Sequence, residues 1–270
     1  PYLKASGELK TKPTQQSVKA LQGMGITPDV IVCRTEVPLE DGIESKIALF
    51  CNVPEDHVLQ NLDVEYLYEA PLAMERENLA QVACECLKLD CPEPDLTDWK
   101  KMVEDLRHPT DEVQVALVGK YVSLHDAYIS VVEALKHGGI TNHATVHIKW
   151  IDSETVTPEN VEELLGDCNG VLVPGGFGSR GIEGKILAIQ YARTHGIPFL
   201  GLCLGMQLTI VEYARNVIGY TDAHSVELDP NTTHPVIALM PDQNGVEDIG
   251  GTLRLGSYPC VLNKDSKAYK

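Results

Sequence analysis

Residues 198–207 read Pro-Phe-Leu-Gly-Leu-Cys-Leu-Gly-Met-Gln. A short apolar run ends at Cys203, with glycine two positions away on either side, at Gly201 and Gly205. This is the thiol counterpart of the strand–turn–helix nucleophile elbow. A strand delivers the side chain, a tight turn holds it outward, and the next helix aims its free N–H groups and positive dipole end at the sulfur. The thiolate is the reactive form, and a helix N-terminus favours it. Glycine neighbours leave room for a substrate to reach the turn. Taken alone, the pattern also suits a structural cysteine packed among apolar neighbours.

A second run, Val173-Pro174-Gly175-Gly176-Phe177-Gly178, supplies what a thiol nucleophile needs next. Attack on a carbonyl develops negative charge on its oxygen, and backbone N–H donors in a side-chain-free loop can stabilise it, each worth roughly 10²–10³ in rate. Either run alone is a modest signal, since most glycine-rich loops are only loops. Together in one α/β unit they point to acyl transfer. Cys84-x-Cys86 followed by Cys91 lacks the second cysteine or histidine pair that structural zinc wants.

The elements that must position these residues alternate. Strands are expected at 29–33 and 47–51, a helix at 72–89, and a proline-bearing break at Cys91-Pro92-Glu93-Pro94 before a short helix at 99–106. Then follow strand 113–119, a helix capped by Asp126 and running to His137, a strand at 145–151 exposed on one side, helix 158–165, strand 170–173, helix 183–195 and strand 198–202. This spacing predicts an α/β fold with a doubly wound, mostly parallel sheet. Ligands in such sheets bind beyond the carboxyl ends of the strands, where both Cys203 and the 175–178 loop fall.

Composition narrows the partners. The 270 residues carry a formal net charge of −17, which argues against non-specific binding to nucleic acid or to an anionic membrane surface. No run approaches the roughly 20 apolar residues of a membrane span. Eight cysteines spread over this length are no disulfide scaffold and fit a reducing cytoplasm. The length suits about two domains. The sequence opens at Pro1 and closes at Lys270 after a polar run, so both ends are expected to be cuts in a longer polypeptide.

Pro174-Gly-Gly-Phe-Gly178 followed by Gly201-Leu-Cys-Leu-Gly-Met-Gln207 resembles the class I glutamine amidotransferase domain. The runs Gly7-Glu-Leu-Lys-Thr-Lys-Pro-Thr-Gln15, Gly-Ser-Arg180-Gly-Ile-Glu183-Gly-Lys185, His224-Ser-Val-Glu227 and Gly250-Gly-Thr-Leu-Arg-Leu-Gly256 extend the resemblance to the CTP synthase family over essentially the whole chain. The resemblance implies residues 1–92 as the C-terminal part of a P-loop-type amidoligase domain, 93–110 as linker, and 111–270 as a truncated amidotransferase domain. It implies ATP-dependent amination of UTP to CTP with ammonia from L-glutamine, Mg²⁺ with the ATP, GTP as activator, CTP as inhibitor and a homotetramer. Cys203 matches the nucleophile, and Gly175 and Leu204 match the oxyanion N–H donors. Gly176, Phe177, Leu204, Gly205, Met206, Gln207 and Glu227 match glutamine-binding positions, a carboxylate at Glu227 suiting the substrate's α-ammonium group. Lys10, Thr11, Lys12, Pro13, Thr14, Gln15 and Lys46 match UTP/CTP-binding positions, where lysine charge and threonine hydroxyls suit a triphosphate. Asp63 and Val64 match adenine contacts made largely through backbone. No metal ligand is assigned within the chain. Residues 180–183 resemble a lid linked to GTP activation.

A thiol nucleophile also needs a base. In the family this is a histidine oriented by a glutamate in a downstream His-Pro-Glu segment that this sequence does not reach. His234-Pro235-Val236 has no orienting carboxylate at its third position, and His224 reads as an ordinary loop histidine. The isolated chain is therefore expected to show negligible glutaminase and no synthase activity. Two other readings stay open: a non-catalytic α/β interaction module, and another class I amidotransferase, which would lack the segment at 10–15.

Overall fold

The computed structural model describes residues 2–240, 257, 259–267 and 269; the Gly250–Gly256 run lies outside them. The described residues form two compact units, residues 2–110 with 140–143 and residues 111–139 with 144 onward.

The first unit begins with an antiparallel pair, β1 (Tyr2–Leu3) and β2 (Glu8–Leu9), and then α1 (Lys12–Gly23). A two-stranded parallel sheet follows, β3 (Ile31–Thr35) against β4 (Val58–Leu62), with α2 (Ile43–Cys51) between them in sequence. The apolar run expected as a strand at 47–51 is thus helical. A short apolar run has no period of its own. Ile43, Ile47, Ala48 and Cys51 fall on one helical face and pack with Val18, Ile31 and Val58, while Leu49 and Phe50 face out. The helix expected over 72–89 is two, α3 (Ala70–Arg76) and α4 (Leu79–Leu87), because Asn78 sits at φ 58 between them. Asparagine tolerates that left-handed conformation, which no helix can propagate. Residues 91–96 are irregular, and α5 (Thr97–Arg107) closes the unit.

The second unit holds a four-stranded all-parallel sheet. β5 (Asp111–Gly119), β6 (Ala144–Asp152), β7 (Gly170–Val173) and β8 (Phe199–Gly201) lie in the order β6-β5-β7-β8. Their connections run through α6 (Ile129–Thr141), α7 (Val161–Leu165) and α8 (Ile182–His195), and α9 (Leu204–Tyr213) follows β8. Alternate residues of β5 serve the two faces. Ala116 and Val118 pack with α8 and α9, and Leu117 packs with Tyr128 and Leu135 on the other side, so the sheet is covered on both. Asp126 lies inside a 3₁₀ turn, His125–Tyr128, rather than at the cap expected of it, and α6 starts after that turn. Glu212, fully buried on α9, takes both Nε and Nη2 of Arg193 on α8 at 2.7–3.1 Å, satisfying a charge that burial would otherwise penalise. After a π-helical turn at Ala214–Ile218, two short strands pair in parallel, β9 (His224–Ser225) and β10 (Pro235–Ile237). Among the described residues no helix is long and apolar enough to cross a membrane.

Candidate active site

Three neighbouring strands of the second unit end side by side, and each carries one part of the site. Two residues past the end of β8, Cys203 caps α9 with φ 50 and ψ −103. That conformation is rare for a residue with a side chain and stores backbone strain. The thiol is exposed. Two contacts enforce the turn. A methyl group on Gly205 would lie 2.1 Å from the Val173 carbonyl oxygen, and one on Gly201 would lie 2.6 Å from the Gly205 backbone carbon. Both positions therefore exclude any side chain, and the glycine–x–cysteine–x–glycine spacing is a steric requirement of strand and helix meeting this closely. Leu202 N–H donates to Val173 O at 2.9 Å and Gln207 N–H to Cys203 O at 3.1 Å, locking the elbow to β7 and starting the helix.

β7 ends in the glycine loop. Gly175 lies against Cys203, since a methyl group there would come within 3.4 Å of Cys203 Cβ. Gly176 faces Leu204 and the Lys120 stem, each 3.7 Å from such a methyl. Leu204 and Gly205 are buried and present backbone, whereas Phe177 and Met206 are exposed and Gln207 is half-buried.

β5 ends in Lys120, which sequence reasoning missed. Its Nζ donates to the Phe177 carbonyl, and its own carbonyl accepts from Arg180 Nη2 at 3.2 Å, so one residue is bonded to the glycine loop and to the segment just after it. Tyr128 Oη accepts from the Lys120 and Tyr121 N–H groups at 3.2 and 3.3 Å, and a methyl on Gly119 would strike that oxygen at 2.6 Å. Nothing local in Gly119-Lys120 reveals this role; it follows from β5 and β7 being neighbours. Lys185, 1% exposed in the first turns of α8, is pushed down to about 8 by burial and then by the Lys120 and Arg180 charges.

Glu227 stands exposed between β9 and β10. Its N–H donates to Ser225 Oγ at 3.3 Å. His234, which has no carboxylate at the third position of its His-Pro-Val run, pairs instead with Asp222: its Nδ1–H donates to Asp222 Oδ1 at 2.5 Å, across twelve positions of chain. The Thr233 hydroxyl, then His234 and the Thr233 N–H, hold the Asp222 carboxyl well below its usual range. His224 is half-buried, its Nδ1 accepts from Ser225 N–H at 3.0 Å, and burial followed by Arg215 pushes it down.

In the first unit, a cavity of about 470 Å³ is lined by Lys10, Thr11, Lys12, Gln15 and, from α2, Lys46, together with Glu8 and Glu40. Thr11 caps α1 and Pro13 sits in its first turn. The free N–H groups and the lysines make this an anion-accepting helix start. Thr11 is held by Gln15, whose N–H and Nε2 reach its carbonyl and hydroxyl at 3.1 Å. Lys10 is paired with Glu8. Thr14 lines an adjoining cleft of about 130 Å³ with residues of β3. Asp63 and Val64 line neither cavity, and Asp63 accepts from Arg34 Nε at 3.0 Å. The described residues hold no group of three or more His, Cys, Asp or Glu side chains that could bind a metal ion.

A strained cysteine at the end of one parallel strand, with a glycine loop and a lysine at the ends of the next two, is suited to acyl transfer through a thiol. The family model for glutamine amidotransferase class-I matches residues 123–270, and the chain belongs to that family. Residues 1–89 match a second model, the CTP synthase N-terminus. The CTP synthase of Clostridium kluyveri is 58% identical over 270 residues, covering 100% of this chain and 50% of that protein. Those of Clostridium acetobutylicum and Bacillus thuringiensis are 57% and 54% identical over 269 residues, with the same coverage. The chain spans about half the length of the curated relatives it matches. A solved structure, the glutaminase domain of Trypanosoma brucei CTPS with bound acivicin, is 42% identical over 48% of this chain and 51% of that one, with a TM-score of 0.45.

Proposed function

We propose that this chain provides the cysteine half of a glutaminase and part of the nucleotide site of a CTP synthase, which aminates UTP to CTP at the expense of ATP. The observation that carries the reading is Cys203 at φ 50, exposed at the head of α9 with the Gly175 backbone against its Cβ. The thiolate attacks the carboxamide carbon of L-glutamine. The oxygen, now negative, is met by the N–H groups of Gly175 and Leu204. The C–N bond breaks as the nitrogen is protonated and leaves as ammonia, and water cleaves the thioester to glutamate and free thiol. Glu227 receives the substrate's α-ammonium group, and Gly176, Phe177, Gly205, Met206 and Gln207 shape the pocket. Lys120 holds the loop that carries the oxyanion donor.

In the same reading residues 1–92 complete an amidoligase domain, 93–110 link it, and 111–270 form the amidotransferase domain. Lys10, Lys12, Lys46 and the threonines at 11 and 14 hold the triphosphate of UTP, or of CTP as inhibitor, at the start of α1. Asp63 and Val64 contact the adenine of ATP through backbone. Mg²⁺ accompanies the ATP, GTP activates, and the intact enzyme is a cytoplasmic homotetramer; no residue of this chain is assigned to the metal. The chain alone is expected to turn over glutamine negligibly, because none of its described residues is assigned as the base that would take and return the proton.

The test uses a glutamine-like electrophile, 6-diazo-5-oxo-norleucine, on the folded chain. The expected result is one adduct at Cys203, slowed by added L-glutamine, together with UTP binding that Lys12→Ala weakens. Labelling spread over the exposed cysteines in proportion to their reactivity toward iodoacetamide would favour a non-catalytic module. Selective labelling without UTP or CTP binding would favour a different class I amidotransferase.

A further inference from the structure

Glu227 is useful only if something fixes it, and its own segment is poorly equipped to do so. Residues 226–234 bridge two very short strands whose register shifts between Pro235 and Ile237. One end is pinned by Ser225, 2% exposed, whose carbonyl accepts the Leu228 and Asp229 N–H groups at 3.0 and 2.9 Å. The other end is gathered by a single side chain. Asp222 Oδ2 accepts the N–H and hydroxyl of Thr233 at 2.7 and 2.6 Å, and Oδ1 accepts His234 Nδ1–H at 2.5 Å. The Asp222 carbonyl also takes the Thr232 hydroxyl at 2.6 Å, and that hydroxyl accepts His234 N–H at 3.2 Å. Three consecutive residues just before β10 are thereby fastened to one residue just before β9.

This clasp is also tied to the helix that carries the nucleophile. The His234 ring stacks on Tyr220, centroids 4.3 Å apart and planes 16° from parallel. Tyr220, with Thr209, Ile210 and Tyr213 of α9, lines an apolar cavity of about 340 Å³. The Tyr220 N–H donates to the carbonyl of Ala214, the residue directly after α9, at 2.9 Å, so contacts run from the end of the Cys203 helix through Tyr220 and His234 to Asp222. A carboxylate accepting three charge-assisted or hydroxyl bonds is stronger and more directional than the neutral contacts at the Ser225 end.

We propose that Asp222 and His234 are positioning residues for recognition of the amino-acid substrate: they hold the Glu227 segment in place relative to Cys203 and do not touch the reacting atoms. This rests on the reading of Glu227 as the partner of the substrate's ammonium group. They should govern how well a glutamine-like molecule is bound, not how reactive the thiol is.

The experiment compares, on the whole folded chain, inactivation of Cys203 by 6-diazo-5-oxo-norleucine with its alkylation by iodoacetamide, which has no ammonium group to recognise. Asp222→Ala is expected to raise KI for the diazo compound about tenfold, the loss of roughly one charged hydrogen bond. The limiting inactivation rate and the iodoacetamide rate should stay within about twofold. His234→Phe, which keeps the ring stack and loses the bond, should reproduce the effect, and His234→Asn, which restores a donor near the Nδ1 position, should reverse most of it. Amide exchange reads the clasp without any ligand: in Asp222→Ala the amides of 226–234 should exchange about tenfold faster or more while those of β7 and α8 do not change. Unchanged exchange at 226–234 would overturn the proposal, as would a fall in both alkylation rates with KI constant. Glu227→Gln separates the two claims: if it leaves KI unaltered, the ammonium-contact reading is wrong and the recognition role falls with it, even where the exchange data show the clasp intact.

Discussion

The two candidate sites are built on opposite principles. In the second unit, the surroundings of Cys203 are made of backbone and exclusion: Gly201 and Gly205 admit no side chain, Gly175 lies against the cysteine, and the elbow hangs on a sheet packed on both faces. In the first unit, the cavity around Lys10, Lys12 and Lys46 is made of side chains at the surface of a small core built on two paired strands. The first design leaves no room for added atoms at its glycines. The second gathers charge, and charge acts at longer range than shape. An oxyanion site needs the one, and a polyphosphate can be held by the other.

The comparison can be broken from its stiff side first. Gly205→Ala would force a methyl to 2.1 Å from the Val173 oxygen. The expected cost is more than about 3 kcal/mol, read as loss of the cooperative thermal transition of the second unit. A Gly205→Ala variant that melts like the parent would show that the elbow is not sterically closed.

Lys185→Met tests how much charge that rigid region carries. The buried ammonium, held near 8 against an ordinary value of 10.5, binds its proton more weakly folded than unfolded. Between those values the unfolded chain holds more protons, so this group's contribution to stability rises with pH through the window, and its burial cost is fully felt below pH 8. The methionine variant should be more stable than the parent at pH 7, by on the order of 3 kcal/mol, with the advantage fading by pH 10.5. Denaturant titrations at the two pH values decide it, and an equal difference at both would sink the argument.

Cys203→Gly removes the side chain from a conformation that disfavours one. Relief of strain on the order of 1–3 kcal/mol, offset by glycine's extra unfolded-state entropy, leaves a net gain of about 1 kcal/mol in stability with all labelling lost. A less stable variant would mean that the turn is not strained. The smallest structural effect belongs to the first unit. Lys12→Ala and Lys46→Ala should each weaken UTP binding about tenfold in titration calorimetry while moving the unfolding free energy by less than about 0.5 kcal/mol. A large stability loss there would erase the contrast between the two sites.

Legibility followed the same division. The elbow was readable because its constraint is local: the residues two positions either side of Cys203 must be glycine for strand and helix to meet, and that demand is written in the spacing. The alternation of strand and helix from 111 to 213 was readable for a similar reason. The run at 47–51 was not, since a five-residue apolar stretch carries no period, and its helical state depends on Ile43 upstream and on a strand that forms only at Val58–Leu62. The break at Asn78 was hidden inside a pattern that looked continuous.

By itself, then, the sequence singled out Cys203, the glycine loop, the lysine-and-threonine run at 10–15 and the α/β class, because each is a local arrangement of residue types. Only the tertiary structure decided that Lys120 reaches the glycine loop and that Asp222 orients His234. Those partners are set by strand order and by loops closing over many residues. Such closure depends on the packing of the whole unit and leaves no trace in the spacing of neighbours along the chain.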